Sequence, residues 1–101
     1  MDLVFSKNKV PIRLTDERWF HIVESHDDLA GYYDNILASI EEPDYIIEGY
    51  GKAFIALKKF PRNKYLAVVY KEMNREDGFI ITAYFTSKLN LDKELILWER
   101  E

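Results

Sequence analysis

The chain has 101 residues, 48% of them hydrophobic, 15% aromatic and 32% charged, with a formal net charge of −4 and no cysteine. That length and balance fit a single folded domain over residues 1–101 and exclude a disordered chain or a second core. Disulfides and thiolate metal sites are excluded, and the negative charge argues against a general grip on nucleic-acid phosphates, though not against a local one.

No apolar run approaches the roughly 18 residues of a membrane span, and the start Met-Asp-Leu-Val-Phe-Ser-Lys lacks the layout of a secretory leader. A cytoplasmic protein without membrane contact is the default expectation. Charge is uneven along the chain. Lys52, Lys58, Lys59, Arg62, Lys64 and Lys71 crowd the middle, whereas Asp16, Glu17, Glu24, Asp27, Asp28, Asp34, Glu41, Glu42, Asp44 and Glu48 crowd the first half.

In chain order, Met1 to Ser6 suits a short strand and Val10 to Leu14 an extended edge segment in which Pro11 denies one ladder bond. Thr15 then caps a helix whose first turn carries Asp16 and Glu17, where the helix dipole favours negative charge. Trp19, Ile22, Val23 and His26 follow at helical spacing, so His26 ends an apolar stripe. Asp27 or Asp28 caps a second helix, with Leu29, Tyr32, Tyr33, Ile36, Leu37 and Ile40 on one face until Pro43 stops it.

After Pro43 the period becomes extended. Asp44 to Tyr50 and Lys52 to Phe60 read as strands about Gly49-Tyr50-Gly51, Pro61 to Lys64 as a turn, Tyr65 to Glu72 as a third strand, and Gly78 to Thr86 as a fourth after the Asn74 to Gly78 turn. Leu91 to Trp98 is a final short strand or packed tail. In the fourth strand Phe79, Ile81, Ala83 and Phe85 are expected on one face, buried with Leu66, Val68 and Tyr70, and Thr82, Tyr84 and Thr86 on the other beside Ala67, Val69 and Lys71. The pattern predicts an α+β fold in which two N-terminal helices pack on one face of a four- to five-stranded antiparallel sheet.

No phosphate-binding glycine loop, His-Glu-x-x-His run or serine elbow occurs. His21 and His26 lie about 140° apart around a helix and do not converge on a metal, so neither a metal nor a cofactor is expected. His26 stands out, because a helix C-terminus favours the imidazolium and a residue there suits proton transfer, although capping the last turn or packing beside Trp19 is the more common reason for a histidine at such a position. The alternating Thr82, Tyr84 and Thr86 are ordinary strand residues when taken alone. Together, a helix-terminal histidine, basic strand residues and a hydroxyl row supply what a metal-free phosphodiester transfer needs: a proton carrier, charge for the phosphorane and donors for the phosphate.

Four segments, Arg13-Leu-Thr-Asp-Glu-Arg-Trp-Phe-His-Ile-Val-Glu-Ser-His26, Glu42-Pro-Asp-Tyr-Ile-Ile47, Tyr65-Leu-Ala-Val-Val-Tyr-Lys71 and Gly78-Phe-Ile-Ile-Thr-Ala-Tyr84, resemble the phage-type branch of the superfamily joining barnase, EndoU, colicin ribonucleases and RelE. The resemblance spans about Pro11 to Thr86. It implies a barnase/RelE-like sheet and a metal-independent endoribonuclease of phage or toxin type, cleaving RNA by transesterification to a 2′,3′-cyclic phosphate. Carried over, the functional positions are His26, Lys58 or Lys71, and Thr82, Tyr84 and Thr86. Single-stranded RNA or a tRNA loop is the implied substrate, and an immunity or antitoxin protein an implied partner. This chain has Ser25-His26-Asp27 where the family often has Arg-His-Pro. A catalytically inactive module binding protein or nucleic acid, or a structural phage or mobile-element protein, is the alternative expectation.

Overall fold

The computed structural model describes residues 1–101. Seven strands form one sheet: β1 (Asp2–Phe5), β2 (Pro11–Leu14), β3 (Tyr45–Glu48), β4 (Phe54–Phe60), β5 (Lys64–Asn74), β6 (Asp77–Thr86) and β7 (Ile96–Glu99), in the spatial order β1-β2-β6-β5-β4-β3-β7. Helices α1 (Asp16–Ser25) and α2 (Tyr33–Glu41) lie between β2 and β3 in the chain. Neither is long and apolar enough to cross a membrane.

This corrects the expected four- to five-stranded antiparallel sheet following two N-terminal helices. The β1–β2 hairpin precedes the helices and joins the sheet through a parallel pairing of β2 with β6, Ile12 opposite Gly78 and Arg13 opposite Phe79. At the other edge β7 pairs antiparallel with β3. Local periodicity shows that a segment is extended but not which strand it will neighbour, so these three short strands could not be counted into the sheet from sequence.

α1 begins as expected, with Thr15 Oγ1 accepting the Arg18 N–H at 3.1 Å. It ends where the His26 N–H reaches the Ile22 carbonyl at 2.8 Å. Asp27–Leu29 form a separate 3-10 turn, and α2 starts only at Tyr33, later than its apolar spacing suggests. Gly31 in the gap is a poor helix former, while Leu29 is fully buried and anchors the turn. Ile36, Leu37 and Ile40 of α2 pack with Leu14, Ile22, Leu66, Val68, Tyr70, Ile80 and Ala83 in the main core.

β6 departs from simple alternation. Val69 opposes Thr82, but Tyr70 opposes Ile80, so Ile81 is an extra residue, a β-bulge. On its N-terminal side the parity inverts. Ala83 and Phe85 face the helices as expected, but Ile80 and not Ile81 enters the core, and Phe79 turns to the far side opposite Lys71, with the Arg13 guanidinium 5.7 Å from its ring.

Gly78 faces the helices at this junction. A Cβ there would lie 2.5 Å from Ile12 Cδ1 and 2.6 Å from the Lys71 carbonyl oxygen. The close approach of β2 to β6 therefore requires glycine. Gly78→Ala is expected to destabilise the fold by about 1–3 kcal/mol through overpacking, read as a lower denaturant midpoint. An unchanged midpoint would mean that β2 does not sit against β6 as described.

Three raised tyrosines, Tyr33, Tyr70 and Tyr84, link stability to alkaline pH. Burial pushes the Tyr70 phenol up, with the Glu72 charge adding to it. Burial, then a 2.7 Å hydrogen bond to Asp2 and that residue's charge, raise Tyr33 to about 12. A phenol raised on folding contributes stability that is complete below its unfolded value of about 10 and is lost as pH rises through the folded value. Stability is expected to fall from pH ~10 upward. Tyr33→Phe should flatten the slope between pH ~10 and ~12, measurable by denaturant titration at stepped pH.

Candidate functional site

On the sheet face away from the helices lie Tyr45, Ile47, Ile55, Leu57, Tyr65, Ala67, Val69, Lys71, Phe79, Thr82, Tyr84 and Thr86, by register. This face is only partly open. After β6 the chain crosses it to reach β7, and Leu89 and Leu91 pack with Tyr45, Ile55, Tyr65 and Tyr84 over Ile47, Leu57 and Ala67 as a second small core. Tyr84 is half-buried there. Burial, and secondarily the charge of Glu94, raise its phenol above the ordinary tyrosine value, so at neutral pH it keeps a proton that it could donate.

His26 reaches this region from the helix layer. β2 pairs with β6 only at Gly78 and Phe79, which leaves the rest of β6 without a strand on that side, and α1 runs beside it. The last residue of that path is His26, half-buried, with its ring centroid 6.2 Å from that of Tyr84 and the planes tilted by 38°. Trp19 instead meets Tyr33 edge-on at 5.0 Å. His21 is exposed between Glu17 and Glu24.

The remaining candidates divide. Thr82 and Thr86 flank Tyr84 on the same face, and the Thr86 hydroxyl accepts the Lys88 N–H at 3.2 Å. Lys71 shares the face, two residues along β5 from Val69, the partner of Thr82. Lys58 is on the other side, opposite the buried Leu66. Its Nζ donates to the Glu42 carbonyl at 2.8 Å, and Arg100 Nη2 donates to the same oxygen at 3.1 Å. Those cations satisfy the end of α2, where the helix dipole is negative. None of the three surface depressions is lined by His26, Lys58, Lys71, Thr82, Tyr84 or Thr86. No cluster of three His, Asp or Glu side chains is arranged to hold a metal ion.

Residues outside the predicted set line a depression of about 350 Å³: Lys59, Phe60, Asn63, Lys64 and Tyr65 at the β4–β5 turn. The sequence signal for them was available, since no acidic residue occurs between Glu48 and Glu72. Comparison of the chain with protein-family models, with curated proteins and with solved structures returns no match.

Lys58→Met keeps most of the side-chain volume and removes the charge at the end of α2. It is expected to cost about 0.5–1 kcal/mol of stability, read by thermal or denaturant unfolding, as for a cation at a partly exposed helix terminus. A variant as stable as the parent would remove the capping role.

Proposed function

We propose that the protein is an endoribonuclease that cleaves RNA by transesterification at the rim where the end of α1 meets β6. The observation that carries this reading is the juxtaposition of His26 and Tyr84, two residues far apart in the chain whose rings approach to 6.2 Å. Their chemistries are complementary. The imidazole can take the 2′-hydroxyl proton or return one to the departing 5′-oxygen, and the protonated phenol can donate to a non-bridging phosphate oxygen as charge builds on it. The 2′-oxygen attacks the adjacent phosphorus, the bond to the 5′-oxygen breaks, and a 2′,3′-cyclic phosphate remains. Lys71 would add positive charge on the same face, with Thr82 and Thr86 as further donors. Lys58, committed to the α2 terminus, has no part in this scheme.

One feature favours a second reading, a module that binds nucleic acid without cutting it. The depression with charged and aromatic walls lies at the β4–β5 turn and not at His26.

Incubating the purified chain with single-stranded RNA in EDTA separates the two. Cleavage with cyclic-phosphate ends, reduced by about 10²-fold or more in His26→Ala and reduced in Tyr84→Phe, is the expected outcome. Binding without turnover would replace the first reading by the second, and equal cleavage by His26→Ala would remove His26 from the mechanism.

A further inference from the structure

Of the fourteen lysines and arginines only three pair with a carboxylate, and among the rest the β4–β5 turn stands out for gathering three within six residues. Arg13 pairs with Asp77, Lys7 with Glu42, and Arg100 with Glu42 and Asp44. At the β4–β5 turn, Lys59, Arg62 and Lys64 pair with no carboxylate. Lys59 Nζ instead lies 5.6 Å from the Tyr45 ring centroid and Lys64 Nζ 4.3 Å from that of Phe85. With acids absent from Gly49 to Lys71, nothing nearby in sequence neutralises these groups. Unpaired like charges gathered on one turn repel one another, and an anion would relieve that repulsion.

The turn is also shaped. Three residues join Phe60 to Lys64, and two of them, Arg62 (φ 68°) and Asn63 (φ 57°), adopt the left-handed conformation that non-glycine residues enter at a cost. The depression beside it, about 350 Å³, has Lys59 and Lys64 on its walls together with Tyr65. Tyr45 meets the Tyr65 ring at 6.3 Å and 70°, which restricts that ring. Lys59 shares the far face with Tyr65, while Lys64 reaches over Phe85 on the helix face. The depression therefore wraps the end of the hairpin with one aromatic ring and an ammonium group on each face, a platform for a base with a phosphate on either side of it.

We propose that this depression is a nucleotide subsite for single-stranded RNA, with a base stacked on Tyr65, the phosphates on either side of it held by Lys59 on the far face and by Lys64 on the helix face, and Arg62 at the turn between them. The choice of polymer rests on the ribonuclease reading above; the subsite adds where the strand is held. Because three cations lie at this turn and the chain as a whole carries a net charge of −4, the contact is confined to about two or three phosphates, and the logarithm of affinity should fall with the logarithm of salt with a slope of about −1.4 to −2.

The test is fluorescence anisotropy of a labelled 2′-O-methyl single strand, which cannot be cut by transesterification, with duplex RNA and inorganic polyphosphate as competitors. The parent should bind the single strand in preference to both competitors. The doubly substituted chain Lys59→Gln, Lys64→Gln should bind at least about tenfold more weakly. Tyr65→Leu should also lose about tenfold, while its competition by polyphosphate is unchanged and Tyr65→Phe binds like the parent, which isolates stacking from any loss of fold. No binding by the parent, equal binding by the double variant, or no preference over polyphosphate overturns the subsite. If the double variant cuts RNA with unchanged KM, the subsite fails and the catalytic reading stands. Should binding follow the turn while His26→Ala cuts as well as the parent, the catalytic reading fails and the subsite stands.

Discussion

The extra residue Ile81 in β6 is the constraint on which the arrangement of the sheet depends. Without the bulge, Ile81 and Phe79 would share a face with Ala83, and the helix side of the sheet would have to accommodate Phe79 where it now has Gly78. With the bulge, Ile80 fills the core beneath the helices and a residue without a side chain faces them next. That opening is what Ile12 occupies. The β1–β2 hairpin can then lie along β6, with Arg13 paired to Asp77 on the other face.

The position of α1 follows from the same junction. β2 leaves the sheet at Leu14, Thr15 caps the helix at once, and α1 runs beside the part of β6 that β2 no longer covers. Its ten residues bring His26 level with Tyr84, which lies beyond the bulge and so keeps its original parity. A strand with no extra residue would present its hydroxyls on the same face as Ile80 or would lose contact with β2. The pairing of histidine with tyrosine is thus a consequence of where the sheet corrects its register.

The sequence shows well those features that local chemistry controls. The cap at Thr15, the stop before Pro43, the strands after it, the burial of Leu66, Val68, Tyr70 and Ala83 and the partial burial of Phe85 can all be read from spacing and residue type. Features that depend on a distant partner are hidden. The bulge is one residue in an unbroken apolar alternation, and the parallel pairing of β2 follows from space above Gly78. The cover formed by Leu89 and Leu91 depends on the route the chain takes to β7. Lys58 shows the same limit: adjacent to Lys59 in sequence, it points to the opposite face, and its role is set by the α2 terminus.

That cover also bears on how a polymer could approach. Leu89 and Leu91 close the middle of the far face, so its polar groups are displaced to the margins, the half-buried His26 and Tyr84 beside α1 and Lys59 at the β4–β5 turn. Tyr65 links the two regions, since it opposes Thr86 in β6 and lines the depression at the turn. On the proposed reading, a flexible single strand could bend from the turn along the end of β6 to the rim, whereas a stiff duplex would meet the raised Leu89 and Leu91 segment between them. On the same reading, the covered face is what would set a flexible strand apart from a rigid one.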